Sequence, residues 1–256
     1  MTLRIDEVDG AGDVDESPAV GTARLHLLGG FELQVDGMIV EVQPAGQRLL
    51  ALLALADASV QRPFTAFQLW PDACADRAQA NLRSTVWRLR RTPGELVVAS
   101  KTHMRLSPDV WVDVRDGLAQ AHDPDPDRAV EEVRWEGSLL ADLLPDWYDD
   151  WLVTERERIR QLRLAGLERC GERLLDAGRA PDAIQVGLRA VAIEPLRESP
   201  HRLVIRCHLA EGNIVEAVRA YDRYAALLAR ELHATPSPRM SDLGDDFATL
   251  VGAAAR

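Results

Sequence analysis

A mainly α fold with a small β component is predicted for this 256-residue chain, and three observations predict it. Residues 24–106 read in the order strand hairpin, three helices, strand hairpin. From about residue 113 onward the apolar spacing is helical. Within that second part a short pattern recurs at an offset of 34 residues.

Residues 1–22 hold Asp6, Glu7, Asp9, Asp13, Asp15 and Glu16 among glycines and Pro18, a composition expected of a disordered acidic leader. In 24–42, Leu25, Leu27, Phe31, Leu33 and Val35 alternate, and Asp36-Gly37 closes a hairpin into Met38–Val42. A helix at about 45–57 follows, in which Leu49, Leu50, Leu52, Leu53 and Leu55 make a wide apolar face. A short helix at about 65–70 ends before Pro71. A third runs over about 76–91, where Ala78, Leu82, Val86 and Leu89 form one buried stripe and Pro93-Gly94 stops it. Leu96–Ala99 and Met104–Leu106 read as a hairpin around Ser100–His103, and Trp111–Val114 supplies a further strand. This order is that of a winged helix-turn-helix preceded by a platform sheet, and it assigns 23–115 to one domain.

The remainder, 116–252, reads as an all-α domain broken at His122–Asp127 and again near Pro145. A long helix is expected from Asp146, which is placed to cap it, with Trp147 and Trp151 one turn apart. Gly178-Arg179 with Asp182-Ala183-Ile184 recurs as Gly212-Asn213 with Glu216-Ala217-Val218. That offset is the tetratricopeptide period, in which one helix pair stacks on the next.

The charge distribution points to function. Residues 77–105 carry seven basic side chains against Glu95 alone, inside a chain of formal net charge −11. A protein this acidic repels nucleic acid at long range, so a compact basic island is where it would touch DNA. Burying the 76–91 stripe leaves Arg77, Asn81, Arg83, Ser84, Trp87, Arg88, Arg90 and Arg91 off the core. Such a face can enter the major groove, with Arg forking onto guanine, Asn onto adenine, and the rest holding phosphates. The 65–70 helix would pack across it as the first helix of the motif. Lys101 and Arg105 sit on the hairpin, within reach of a minor groove or backbone. Trp87 either packs under the hairpin or stacks on the sugar-phosphate wall. Gln47 and Arg48 are secondary phosphate candidates. The plainer alternative is that an Arg-rich helix face is simply solvated.

The stretch ARLHLLGGFELQVDG, with GQRLLALLALA and ANLRSTVWRLRR after it, resembles the winged-helix domain of the actinobacterial antibiotic-regulatory-protein (SARP) activators. The segments WEGSLL, WYDDWLVTERERIRQLRL and AEGNIVEAVRAYDRYAALLARELHATPSP resemble the bacterial transcriptional activator domain that follows it in that family. The resemblance implies a transcription activator that binds direct repeats in double-stranded promoter DNA as a homodimer. It also implies recruitment of RNA polymerase, often at secondary-metabolite genes. The family's base- and phosphate-contacting positions fall on Ser84, Arg88 and Arg90. Where the family has Gly-Tyr before Arg-Leu in the wing, this chain has His103-Met104. No nucleotide-binding module follows the helical part, so ATP-driven control is not expected.

Other chemistries lack support. Cys74, Cys170 and Cys207 read as free buried thiols in a reducing cytoplasm, where the protein is expected to associate with the nucleoid. Its single lysine beside twenty-nine arginines reads as the mark of a GC-rich genome. His201 and His208 lack a third ligand at metal spacing. The acids Asp142, Asp146, Asp149, Asp150 and Glu155 suit the start of a helix through its dipole. Gly29-Gly30 lacks phosphate-loop spacing. No catalytic constellation, cofactor or metal site is expected, and neither is a membrane partner. The competing function is a non-DNA-binding adaptor whose repeat domain docks protein partners. A small-molecule sensor in the helical domain is compatible with the DNA-binding function.

Overall fold

The computed structural model describes residues 23–56, 58–123, 125–134 and 141–243. The acidic leader, the WEGSLL segment and the end of the chain lie outside the described residues.

Strands β1 (Ala23–His26), β2 (Glu32–Val35) and β3 (Met38–Ile39) open the fold. Asp36 and Gly37, at φ of 53° and 76°, make the predicted tight turn between the last two. Helix α1 (Pro44–Leu55) buries all five predicted leucines. After strand β4 (Val60–Gln61) comes helix α2 (Arg62–Leu69), which starts three residues before the predicted bound because Pro63 seeds its first turn. Helix α3 (Ala75–Leu89) buries Ala78, Leu82, Val86 and Leu89 as the stripe requires, together with Thr85. Strands β5 (Val97–Ala99) and β6 (His103–Leu106) form the second hairpin, and β7 (Trp111–Val112) ends the first half.

Two sheets result. The platform has the order β3-β2-β1-β7, antiparallel except that β7 runs parallel to β1. The wing sheet, β4-β6-β5, pairs Val60 with Met104 and Val97 with Leu106. The His103-Met104 departure from the family pattern leaves the wing intact, because Met104 points inward and is buried. Ser100 closes the turn by accepting from the His103 N–H at 3.0 Å.

Helices α4 (Asp113–His122) and α5 (Pro126–Arg134) flank the expected break. They are followed by α6 (Asp150–Asp176), α7 (Ala180–Ile193), α8 (Glu198–Ala210) and α9 (Ile214–Leu232). The 34-residue repeat is structural. Gly178 and Gly212 both lie at φ 74°. Arg179 N–H donates to Leu174 O and Asn213 N–H to His208 O, each at 2.8 Å. Both are Schellman closures, and each next helix then buries its equivalent alanine, Ala183 or Ala217.

The long helix begins at Asp150 and not at Asp146, so neither Asp146 nor Trp147 belongs to it. The guanidinium of Arg156 donates to the carbonyls of Leu143, Leu144 and Trp147, which holds 143–147 as a turn. Leu144 takes a positive φ of 42° there. Asp149 occupies the N-cap position, but its carboxylate pairs with Arg48 across the molecule instead of capping.

The same segment joins the two halves. Leu144 N–H donates to Leu27 O at 2.9 Å and Gly29 N–H to Asp142 O at 2.8 Å. Leu143, Leu144, Leu152 and Ile159 lie in one apolar core with the platform and α1–α3, and Trp147 stacks on Phe31 at 6.1 Å. Asp113 is buried in the seam, where its carboxylate accepts from the N–H groups of Leu27, Leu28 and Val114. Among the described residues no helix is long and apolar enough to cross a membrane.

Candidate nucleic-acid interface

Orientation of α3 follows from its buried side. Ala66 and Leu69 of α2 share a core with Ala78 and Leu82 of α3, so α2 packs across α3 in the helix-turn-helix manner. At 3.6 residues per turn, the positions opposite the buried stripe fall into two neighbouring rows. Arg77, Asn81, Ser84 and Arg88 make one row, and Arg83 and Trp87 the other beside Asp76, while Arg90 is the C-cap residue and Arg91 lies in the turn just beyond. All are exposed except Asn81, which is half-buried. The 15-residue helix is about 22 Å long and presents these rows over its length.

Two contacts order this face. Arg88 Nη1 donates to Gln43 Oε1 at 3.2 Å, and the Arg91 guanidinium lies over the Trp87 ring at 4.8 Å. Gln43 belongs to the loop entering α1, across a cleft of about 290 Å³ also lined by Gly46, Thr85 and Thr92. A side chain at position 46 would place its Cβ 2.8 Å from Val42 and 3.1 Å from Leu89. Glycine therefore lets α1 approach the end of α3 this closely.

Trp87 does not pack under the hairpin. It is 58% exposed, because it projects away from the buried stripe and the space beneath the wing is filled by Leu96, Val97, Met104 and Leu106. Arg48, a secondary phosphate candidate, is instead committed to Asp149. Gln47 is likewise turned inward, donating to Val42 O at 2.9 Å. Cys74 is exposed just ahead of α3, unlike the buried Cys170 and Cys207; all three are free. In the wing, Lys101 stands in the turn, and Arg105 points out between buried Met104 and Leu106. Among the described residues, no hydrogen bond or ring contact joins these two to the α3 rows. Gln43 escaped the sequence reading because its relation to Arg88 spans 45 positions and has no periodic signature.

The electrostatics separate this face from the rest of the molecule. Among the described residues none of Arg77, Arg83, Arg88, Arg90, Arg91, Lys101 and Arg105 pairs with a carboxylate. In the helical half, Arg158, Arg160, Arg197, Arg202 and Arg206 pair with Glu155, Glu157, Glu168, Glu198 and Glu172 respectively. His201 has its own structural place. Its ring lies 4.3 Å from that of Tyr224 and its Nε2 is 2.9 Å from Pro195 O.

The family model described as the bacterial transcriptional activator domain matches residues 112–246, just over half of the chain. The chain belongs to this family. Members of the activator family similar to it include the regulatory protein AfsR of Streptomyces coelicolor, 30% identical over 94% of this chain and 26% of that protein. The transcriptional regulatory protein MoaR1 of Mycobacterium tuberculosis is 26% identical over 87% of this chain and 78% of its own length. The chain therefore spans about a quarter of AfsR. A solved structure, Mycobacterium tuberculosis EmbR in complex with a low affinity phosphopeptide, superposes with a TM-score of 0.71 at 21% identity. It covers 90% of this chain, which spans 66% of EmbR. That likeness shows the fold, a winged helix joined to a helical domain. The family match and the AfsR likeness place the chain with SARP-type activator-domain proteins, and the similar proteins are named as regulatory proteins.

Proposed function

We propose that this activator is a non-enzymatic, sequence-specific DNA-binding protein. The observation that carries the reading is the exposed cationic face of α3, whose arginines pair with no carboxylate among the described residues, on a helix-turn-helix frame. Residues 23–115 bind promoter DNA. In that reading α3 lies in the major groove, with Ser84 and Arg88 at base edges and Asn81 beside them. Arg77, Arg83, Arg90 and Arg91 hold phosphates, Trp87 stacks on the sugar-phosphate wall, and Lys101 and Arg105 meet the backbone beside the wing. Residues 116–252 carry the contacts that pair two copies on direct repeats and recruit RNA polymerase, in the cytoplasm at the nucleoid. Genes of secondary metabolism are the targets the family suggests.

Footprinting on promoter fragments around the protein's own gene tests this. Protection of two half-sites in the same orientation is expected, with spacing near a whole number of helical turns, about 10–10.5 base pairs each. A gel-shift scan with no binding at low salt would remove the DNA-binding reading and leave the adaptor function.

A further inference from the structure

Two facts about charge are left over once α3 is read as a DNA-facing helix. The seven cations between Arg77 and Arg105 lack a carboxylate partner among the described residues, although the chain holds 41 acidic side chains and the arginines of α6–α9 are widely paired. Six of those acids, Asp6, Glu7, Asp9, Asp13, Asp15 and Glu16, fall within residues 1–22, where Arg4 is the one opposing side chain. A row of like charges on one helix repels itself, and this acid-rich segment is covalently tethered to it at Ala23, the first residue of β1.

We propose that residues 1–22 occupy the cationic face of α3 when DNA is absent, an autoinhibitory contact in which the carboxylates stand where phosphates would. The proposal rests on the DNA-binding reading for its consequence, though not for the contact itself. Reach does not limit it. Twenty-two residues extend to about 70 Å, against about 22 Å for the whole of α3. Tethering supplies an effective concentration on the order of millimolar, so individually weak exposed ion pairs suffice together. Leu3, Ile5 and Val8 of the same segment add apolar matter that suits the exposed Trp87 indole beside the arginines. Because the pairs are exposed, salt screens the contact, and the polyanion that displaces it is the ligand of the site.

The test compares the full chain with a full-length variant carrying Asp6→Asn, Glu7→Gln, Asp9→Asn, Asp13→Asn, Asp15→Asn and Glu16→Gln. Without DNA, the Trp87 indole N–H resonance, assigned by its loss in Trp87→Phe, is expected to differ between the two forms. A peptide of residues 1–22 added to the variant should move it back. On a random-sequence duplex the variant should bind on the order of tenfold tighter at about 50 mM salt, with the gap closing toward about 200 mM. An unchanged Trp87 resonance overturns the proposal even if the variant binds DNA more tightly, since general repulsion then accounts for the gain. Equal affinities of the two forms overturn it as well. A Trp87 response in chains that bind no duplex supports the contact and removes the DNA-binding reading instead.

Discussion

Arg88 is held by one neighbour and left open elsewhere. Its Nη1 is tethered to Gln43 at 3.2 Å, which leaves the remaining guanidinium donors free to fork onto the O6 and N7 of a guanine. Arg88→Ala is expected to weaken binding to the cognate site by about 1–3 kcal/mol while random duplex is hardly affected. Fluorescence anisotropy on both duplexes checks this, and equal losses would make Arg88 a phosphate contact. Asp113 is the opposite kind of residue, buried and satisfied. Burial pushes its carboxyl up, while the N–H groups of Leu28, Leu27 and Val114 and the nearby His26 pull it down. Asp113→Ala strands those backbone donors in the seam and should cost on the order of 3 kcal/mol in chemical denaturation. Asp113→Asn, which keeps one acceptor oxygen, should recover part of that. A loss within measurement error for the alanine variant would show that water replaces the carboxylate there.

At the scale of elements, periodic patterns were legible and cross-chain contacts were not. The five leucines of α1 and the stripe of α3 follow from spacing alone, and burying that stripe fixes which α3 side chains face out. The start of α6 was not legible, since it is set by Arg156 gathering three carbonyls and by an Arg48–Asp149 pair 101 positions apart. Strand β4 is two residues long, too short to alternate, and Trp87 has two solutions until the wing core is seen to be full. The repeat was legible because both copies need the same left-handed residue. Gly178→Ala and Gly212→Ala should each lower stability by about 1 kcal/mol, since both force a Cβ into that region; unequal costs would argue against equivalent turns. Between α8 and α9, burial holds the His201 imidazole below its ordinary value of 6.5, against the pull of the Pro195 carbonyl. The folded chain then binds fewer protons than the unfolded chain. Stability is therefore fully present above about pH 6.5 and falls as the pH drops below it. Melting curves from pH 7.5 to 5 should show this, and a His201→Gln variant whose curve falls just as steeply would assign the loss elsewhere.

Over the whole molecule, the cationic face and the helical half are one mechanical unit. Leu143, Leu144, Leu152 and Ile159 complete the core beneath α1 and the platform. Arg115 donates to the carbonyls of Leu53 and Ala54, and the Arg48–Asp149 pair spans the same seam. On the proposed reading, a partner bound to α7–α9 would thus sit at a fixed position relative to DNA on α3. The same packing predicts how the chain fails when cut. Burying one leucine or isoleucine side chain is worth about 1.5–3 kcal/mol, and a domain's net stability is only about 5–15 kcal/mol. Removing four such side chains, together with the Leu144–Leu27 and Gly29–Asp142 hydrogen bonds, consumes most of that margin. Residues 23–115 expressed alone should therefore keep helical far-ultraviolet dichroism but lose a cooperative melt and dispersed amide resonances, whereas 23–243 keeps all three. A fragment 23–115 that melts sharply at the temperature of the longer chain would show that the seam is only a contact between two self-sufficient domains.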